Sequence, residues 1–270
     1  MPDPLAARQL LRAYGIRPDK NLGQNFIVDL DALDAIMLAA ELHRTEHVVE
    51  VGAGLGALTR RLSDAAAHVT AIELDSRLLP ILRAVCKSAA NVDIVAGDAL
   101  ALDVETAAVY RVVANIPYTI TSALLRHFLE ADRPPDRIVL TVQTEVAERA
   151  AAGPGQMSLL ALSVQIYGKP EIRGTIPATA FYPQPEVESS ILRIDIHPTP
   201  VIPAEWIAPV FRLARAGFNQ RRKKLSNSLG LVLGKGAGEK LLEAGIDPGS
   251  RAQELSVFQW EALARAAMPG

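Results

Sequence analysis

The 270-residue chain has one cysteine, Cys86. A single thiol forms no intramolecular disulfide, and cysteine-based zinc sites are excluded. Cys86 shares an apolar helical pattern with Ile81, Leu82 and Val85, as a core thiol does. The five histidines are scattered and none sits in an H-E-x-x-H pattern. His43 and His47 are four apart, but they straddle a helix end and a strand start, so no metal is expected. No Ser/His/Asp constellation can be argued from spacing. No apolar run approaches the ~18 residues of a membrane span. Met1-Pro2-Asp3-Pro4 carries no signal-peptide pattern, so a cytoplasmic protein without a membrane partner is expected. An excess of one charge is missing too: the net charge is −2, and the molecule as a whole does not announce a polyanion partner. Internal repeats and low-complexity tracts are absent.

A hydrophobic content of 49% is enough for a sizeable core. Short apolar runs rich in β-branched residues alternate with helical patterns through the first 150 positions. Strands are predicted at Val48–Val51, Val69–Ile72, Val92–Val95, Arg111–Ala114 and Ile138–Val142. Helices are predicted at 5–14, at Leu30–Leu42 with Leu30, Leu33, Met37 and Ala40 on one face, and at Leu58–Ala66, Leu78–Lys87 and Ala123–Leu129. Such alternation implies a parallel sheet covered on both faces. Ser158–Tyr167 reads as a helix and Glu188–Ile196 as a late strand. The proline-rich stretch from His197 to Pro203 is the best linker, and everything beyond it is helical in pattern.

Three strand ends offer residues suited to an adenosine-bearing cofactor. Gly52-Ala53-Gly54-Leu55-Gly56 follows a strand and precedes a helix, so its backbone can approach a ligand closely. The spacing is G-x-G-x-G, not the G-x-G-x-x-G of dinucleotide folds. Glu73 ends the next strand about 20 residues on, where an acid grips ribose hydroxyls. Asp98 follows the third strand, where a turn or helix cap is the plainer reading. NAD and S-adenosylmethionine both suit this crevice, and the later motifs favour a methyltransferase.

Asn115-Ile116-Pro117-Tyr118 closes the fourth strand. Pro117 stops the strand and stiffens the turn. The turn presents an amide, a bare carbonyl and an aromatic ring, a set that suits the exocyclic amine of a planar base. The Asn115 amide oxygen and the Ile116 carbonyl can accept the amine hydrogens, and the Tyr118 ring can stack on the base. The stiff loop Phe181-Tyr182-Pro183-Gln184-Pro185 reads as a second wall of that pocket, with Phe181 facing Tyr118. Its plainer reading is a packing loop.

Charge is segregated along the chain. Residues 201–270 carry ten Lys and Arg against six Asp and Glu, and no acid lies between Glu205 and Glu239. Charge runs are usually solvated faces. Phe218-Asn219-Gln220 beside Arg221, Arg222, Lys223 and Lys224 tilts this one towards RNA phosphates.

Together these residues resemble the small-subunit ribosomal RNA adenine N6,N6-dimethyltransferases. The likeness runs nearly end to end through Leu22-Gly23-Gln24-Asn25-Phe26, Glu50 to Gly56, Ala71 to Asp75, Gly97-Asp98-Ala99, Asn115 to Tyr118, Phe181 to Ser189 and Phe218 to Leu229. It implies an α/β fold: a Rossmann-like class I methyltransferase sheet over residues 1–198 and a small C-terminal all-helical RNA-binding domain over 199–270. It also implies S-adenosylmethionine as cofactor, contacted by Asn25, Ile27, Gly52, Glu73, Asp98 and Asn115, with Gln24, Gly54, Leu74 and Ala99 beside them. Asn115, Ile116, Pro117, Tyr118 and Phe181 would form the catalytic site, with no metal. The implied reaction places two methyls on each of two adjacent adenosines near the 3′ end of small-subunit rRNA, late in assembly. The implied enzyme is a monomer acting on a pre-30S-type particle. In one departure, Met157-Ser158-Leu159-Leu160-Ala161 stands where many members carry a basic residue beside Tyr-Gly.

Three other readings share parts of the pattern. The macrolide-resistance methyltransferase of large-subunit rRNA shares the Gln-Asn-Phe start and the Asn-Ile-Pro-Tyr turn. The Phe218 to Leu229 motif and the tail from Gly245-Ile246-Asp247-Pro248 to Leu255-Ser256 argue for the small-subunit enzyme. A non-catalytic RNA-binding assembly factor would not need the intact turn with Glu73 and Asp98. DNA and protein-amide methyltransferases more often carry a second proline in the turn.

Overall fold

The computed structural model describes Asp3, residues 5–102 and residues 109–267; Met1, Pro2 and Pro4 of the N-terminal stretch lie outside the described residues. Among the described residues, nine strands run in chain order: β1 Phe26–Ile27, β2 His47–Val51, β3 His68–Glu73, β4 Val92–Ala96, β5 Tyr110–Asn115, β6 Arg137–Gln143, β7 Gly168–Ile176, β8 Phe181–Tyr182 and β9 Ser189–Ile196. The helices are α1 Ala7–Ala13, α2 Leu30–Ala40, α3 Ala57–Ala65, α4 Leu79–Val85, α5 Thr121–Leu129, α6 Thr144–Ala151, α7 Leu159–Gln165, α8 Ala204–Asn219, α9 Leu225–Ser228, α10 Gly230–Leu233, α11 Ala237–Glu243 and α12 Val257–Ala267.

The main sheet has the order β4-β3-β2-β5-β6-β9-β7. β4, β3, β2, β5 and β6 are parallel, as their β-branched runs imply, with Val48 opposite Val69 and Arg111. The sheet is not parallel throughout, because β9 runs antiparallel to β6. β7 escaped the sequence reading. Its Gly168-Lys169-Pro170 start and charged, partly exposed positions are those of an edge strand, where proline and charge block further pairing. The pair β1–β8 is a separate two-stranded ladder that joins the N-terminal segment to the aromatic–proline loop.

Asp29 caps α2, its carboxylate accepting from Ala32 N at 2.8 Å. The buried face of α2 is Ala32, Leu33, Ile36, Ala39 and Ala40. The predicted face was rotated from this one, and Leu30 is 52% exposed. Leu33 and Ile36 pack into the core with α3 residues and sheet residues, and the small Ala32, Ala39 and Ala40 beside them let α2 lie close.

The chain divides into two compact units, residues 1–147 with 171–196, and residues 148–170 with 197–270. The predicted boundary at 198 put residues 148–170 with the sheet. They cluster instead with the C-terminal helices. Met157, Ala161, Leu162 and Ile166 join Val210, Leu213, Leu241 and Trp260 in one apolar core. Gly155 N and Met157 N both donate to Gln253 O, at 2.8 and 3.1 Å. The departure at Met157–Ala161 thus has an apolar task. The stretch from His197 to Pro203 is no free tether either. His197 N donates to Tyr167 O, Val201 N donates to Ile166 O, and Ile202 is buried.

Gly217 on α8 lies where a Cβ would come 2.9 Å from Trp260, 3.2 Å from Leu225 and 3.3 Å from Ala252. The gain in helix propensity from alanine, about 1 kcal/mol, is smaller than the upper range of overpacking against a buried indole, about 1–3 kcal/mol. Gly217→Ala should therefore lower the midpoint of thermal unfolding of the helical unit. A calorimetric scan with an unchanged or raised midpoint contradicts this packing.

Candidate active site

The glycine turn after β2 is held by the carboxylate that ends β3. Gly54 N donates to Glu73 Oε2 at 2.7 Å, and Asp75 N donates to Glu73 Oε1 at 2.7 Å. One buried side chain so ties the loop after β2 to the loop after β3. Burial lifts the Glu73 carboxyl above its usual range, and the two N–H bonds act against that shift. Gly54 has φ 58°, and a Cβ there would meet the Phe26 ring at 3.1 Å, so both conformation and contact exclude a side chain.

The N-terminal loop lies over the same rim. Gln24 Nε2 donates to Asp75 Oδ2 at 2.8 Å, while Gln24 Oε1 accepts from Asp19 N at 2.8 Å. Asp75 in turn takes a two-point bond from Arg77, at 2.8 and 2.7 Å, which holds its carboxyl below the usual range. Gln24 thus acts mainly as a brace: it lines the cavity, but both ends of its amide are engaged.

Asn115 completes the arrangement from β5. Its Nδ2 donates to Asn25 O at 2.9 Å. A carbonyl can only accept, so the amide nitrogen must face Asn25 and Oδ1 is turned the other way. Among the described residues, neither Asn115 Oδ1 nor the Ile116 carbonyl accepts a hydrogen bond. The turn backbone is fixed by Ile120 N donating to Pro117 O and by Thr121 Oγ1 donating to Tyr118 O.

These elements enclose a cavity of about 170 Å³. One buried water needs only about 10–15 Å³, so the space suits an organic ligand. Gln24, Asn25, Gly52, Gly54, Glu73, Leu74, Asp98, Ala99 and Asn115 line it together with Ile116, Pro117 and Tyr118. Among the described residues, no lysine or arginine does, while Glu73 and Asp98 do. The charged side chains in the lining are acids, which favours a neutral or cationic adenosine ligand over one carrying a pyrophosphate. Asp98 also serves the plainer role, accepting from Leu100 N at 2.9 Å.

Two expected contacts are corrected. Phe181 is 4% exposed and packs in the core with Ile27, Val113 and Val139; it does not line the cavity or face Tyr118 across it. Its β8 pairing with Ile27 of β1 turns the ring inward. Ile27 sits in that same core and lines a smaller pocket beside Glu50 and Asn115, not the cavity itself. Asn21, Leu22, Gly23, Leu78, Thr119 and Ile120 line the cavity without having been foreseen. Leu22 and Gly23 belong to the Leu22 to Phe26 motif, proximity to Asn25 and Tyr118 was the signal for Asn21, Thr119 and Ile120, and Leu78 had none.

In the helical unit, Arg221, Arg222, Lys223 and Lys224 form the turn between α8 and α9. All four are exposed, and none makes an ion pair among the described residues. Phe218 does not interleave with them at the surface; it is buried against Trp260, ring centroids 5.8 Å apart. Among the described residues, no helix is long and apolar enough to cross a membrane, and no group of three His, Cys, Asp or Glu side chains is placed to hold a metal ion.

A family model described as ribosomal RNA adenine dimethylase matches residues 17–267. The chain is 43% identical to the ribosomal RNA small subunit methyltransferase A of Dehalococcoides mccartyi strain CBDB1, over 95% of this chain and 91% of that protein. It is 40% identical to the protein of the same name from Pelotomaculum thermopropionicum, over 97% and 95%. Among solved structures, the 23S rRNA methyltransferase ErmE superposes with a TM-score of 0.74 at 27% identity, over 90% of this chain and 99% of that one. A dimethyladenosine transferase from Plasmodium falciparum shares the fold, with a TM-score of 0.77 at 24% identity, over 88% and 95%.

Glu50, on β2 beneath the glycine turn, is buried, and its Oε2 has no hydrogen-bond partner among the described residues. Burial, reinforced by the nearby Glu73 charge, pushes its carboxyl up to about 8 from an ordinary 4.5. The folded value lies above the unfolded one. The contribution of Glu50 to stability is therefore full below pH 4.5 and is lost as pH rises towards about 8. The slope for one such proton is about 1.4 kcal/mol per pH unit. Glu50→Gln should flatten the pH dependence of urea unfolding across this window and be more stable than the parent at its upper end. Parallel curves for the two proteins would rule out a protonated Glu50.

Proposed function

The chain belongs to the ribosomal RNA adenine dimethylase family, and from that premise we propose that it dimethylates the N6 amines of two adjacent adenosines near the 3′ end of small-subunit rRNA. S-adenosylmethionine is the methyl donor; when bound, it supplies a sulfonium methyl electrophile. The absence of lysine and arginine among the described residues of the cavity lining fits a cationic adenosine ligand. Glu73 and Asp98 would hold its ribose and adenine ends, and Leu74 would supply an apolar contact.

One observation carries the catalytic reading: Asn115 Nδ2 is tied to Asn25 O at 2.9 Å, leaving Oδ1 and the Ile116 carbonyl as paired acceptors on one turn. Adenine N6 is a poor nucleophile because its lone pair is delocalised into the ring. The base must first leave its stack, and the half-buried Tyr118 ring offers it a new face. Hydrogen bonds from the amine to two fixed acceptors favour a pyramidal nitrogen with an available lone pair. The acceptors are placed before the base arrives, so they cost little reorganisation. After the first transfer the cationic nitrogen releases one proton to water and keeps one hydrogen, and one acceptor still orients it for the second.

The rRNA itself is a polyanion, and the exposed Arg221-Arg222-Lys223-Lys224 turn supports phosphate binding. A monomer working in the cytoplasm on a partly assembled small subunit is the setting we infer. The large-subunit alternative shares the fold of ErmE, but the higher identity to small-subunit enzymes and the Phe218 to Leu229 motif speak against it. A non-catalytic role is disfavoured by the intact Asn115 to Tyr118 turn, which shares its cavity with Glu73 and Asp98.

Asn115→Ala should slow single-turnover methylation of unmethylated small subunits by a factor on the order of 10²–10³, as expected for a lost oriented polar group. Near-normal dimethylation by that variant would sink the mechanism. Replacing all four of Arg221, Arg222, Lys223 and Lys224 by glutamine should weaken rRNA binding and reduce its log–log salt slope by roughly 0.7–0.9 per lost phosphate contact. S-adenosylmethionine affinity should stay unchanged. Wild-type subunit binding by the quadruple variant would remove this turn from the RNA surface.

A further inference from the structure

Stacking a base requires an aromatic ring, not a hydroxyl, so a phenylalanine would serve the turn as well as Tyr118 if stacking were all it did. The structure gives the hydroxyl a partner. Tyr118 OH and Ser189 Oγ lie 2.7 Å apart. Ser189 is completely buried and opens β9, paired opposite Gln143 of β6. Its backbone is therefore held in the sheet ladder, and its hydroxyl has a fixed origin. The next residue, Ser190, donates to Thr144 Oγ1 at 3.0 Å, so the start of β9 is anchored on that side as well.

We propose that Ser189 is a positioning residue for methyl transfer, its hydroxyl fixing where the Tyr118 ring stands relative to the Asn115 and Ile116 acceptors. The inference rests on the reading of Tyr118 as the platform for the target base. Its geometry is specific. The phenol oxygen lies on the axis of rotation about Cβ–Cγ, so a bond at that atom does not resist ring flipping. It resists the swing about χ1, which carries the oxygen through several ångströms and the ring face with it. Thr121 Oγ1 donates to Tyr118 O and holds the backbone end of the residue. Ser189 holds the far end, and between the two the ring has one position. Burial raises the Tyr118 phenol above its ordinary range, so it stays protonated and available for this bond at neutral pH.

The experiment is single-turnover methylation of unmethylated small subunits at saturating S-adenosylmethionine, with Ser189→Ala, Tyr118→Phe and the double variant. Each single variant should slow the transfer step about tenfold, the worth of one neutral hydrogen bond at the top of its usual range. For Ser189→Ala, at a position that does not line the cavity, cofactor affinity and the subunit concentration at half-maximal rate should stay within about twofold of the parent. The double variant should be no slower than either single one, since both remove the same bond. Wild-type transfer by Ser189→Ala overturns the proposal, and so do effects that multiply in the double variant. Should Ser189→Ala fail to fold, Tyr118→Phe decides alone: a slowed transfer with intact cofactor affinity supports the proposal, and a wild-type rate overturns it. Tyr118→Ala separates the underlying reading, since an active Tyr118→Ala enzyme removes the stacking platform itself whatever Ser189 does.

Discussion

β2 lies between β3 and β5, and its parallel hydrogen bonding to both aligns the C-terminal ends of β2, β3, β4 and β5 along one rim. The chain order reverses at β2: β3 and β4 continue to one side, and β5 and β6 to the other. A crevice opens where the connections leave in opposite directions, and ligands of such sheets bind there. Gly52, Glu73, Asp98 and Asn115 share one cavity because each is within a few residues of a strand end at this rim. None is near another in sequence, and no other pairing of the strands would bring them together.

The rim is then stiffened by side chains that bond to the backbone of neighbouring loops. Glu73 takes Gly54 N and Asp75 N, Asn115 holds Asn25 O, and Gln24 bridges Asp19 and Asp75. The Glu73–Gly54, Gln24–Asp75 and Asn115–Asn25 bonds join segments far apart in the chain, so the loops keep the geometry of the sheet beneath them instead of sampling their own. Elsewhere in the same unit, arginines do similar work at the end of α2. Arg111 and Arg137 donate to Ala40 O, and Arg111 to Glu41 O, satisfying carbonyls that the helix leaves open. Glu41 adopts φ 48°, unusual outside glycine, and its carboxylate meets Arg137, Arg173 and Arg193. The charge cluster holds a conformation that the residue's own preferences disfavour.

Much of this was legible in the linear pattern. The five parallel strands carry continuous β-branched runs because both faces are covered, and their ends moved by only a residue or so in the structure. Pro117 marks the end of β5, and the glycine turn marks the end of β2, because each residue type restricts or frees the backbone locally. β7 was invisible because an edge strand with Gly168, Pro170 and Gly174 has neither alternation nor a continuous apolar run. The membership of residues 148–170 was invisible because an apolar helix does not say which core it joins.

The sequence by itself determined the backbone's local choices and the chemical inventory: where strands stop, which residue must be glycine, that one turn carries an amide, a carbonyl and a ring, and that cations gather beyond residue 205. Only tertiary structure decided which way side chains face. Phe181 and Phe218, both read as functional aromatics, went into cores because strand pairing and helix packing turned them inward. Tyr118 stayed half-buried because Ser189, 71 positions away, offered its hydroxyl a buried partner. Aromatic rings gain by burial wherever a core will take them, and the choice between core and site therefore rests on long-range neighbours that no local pattern contains.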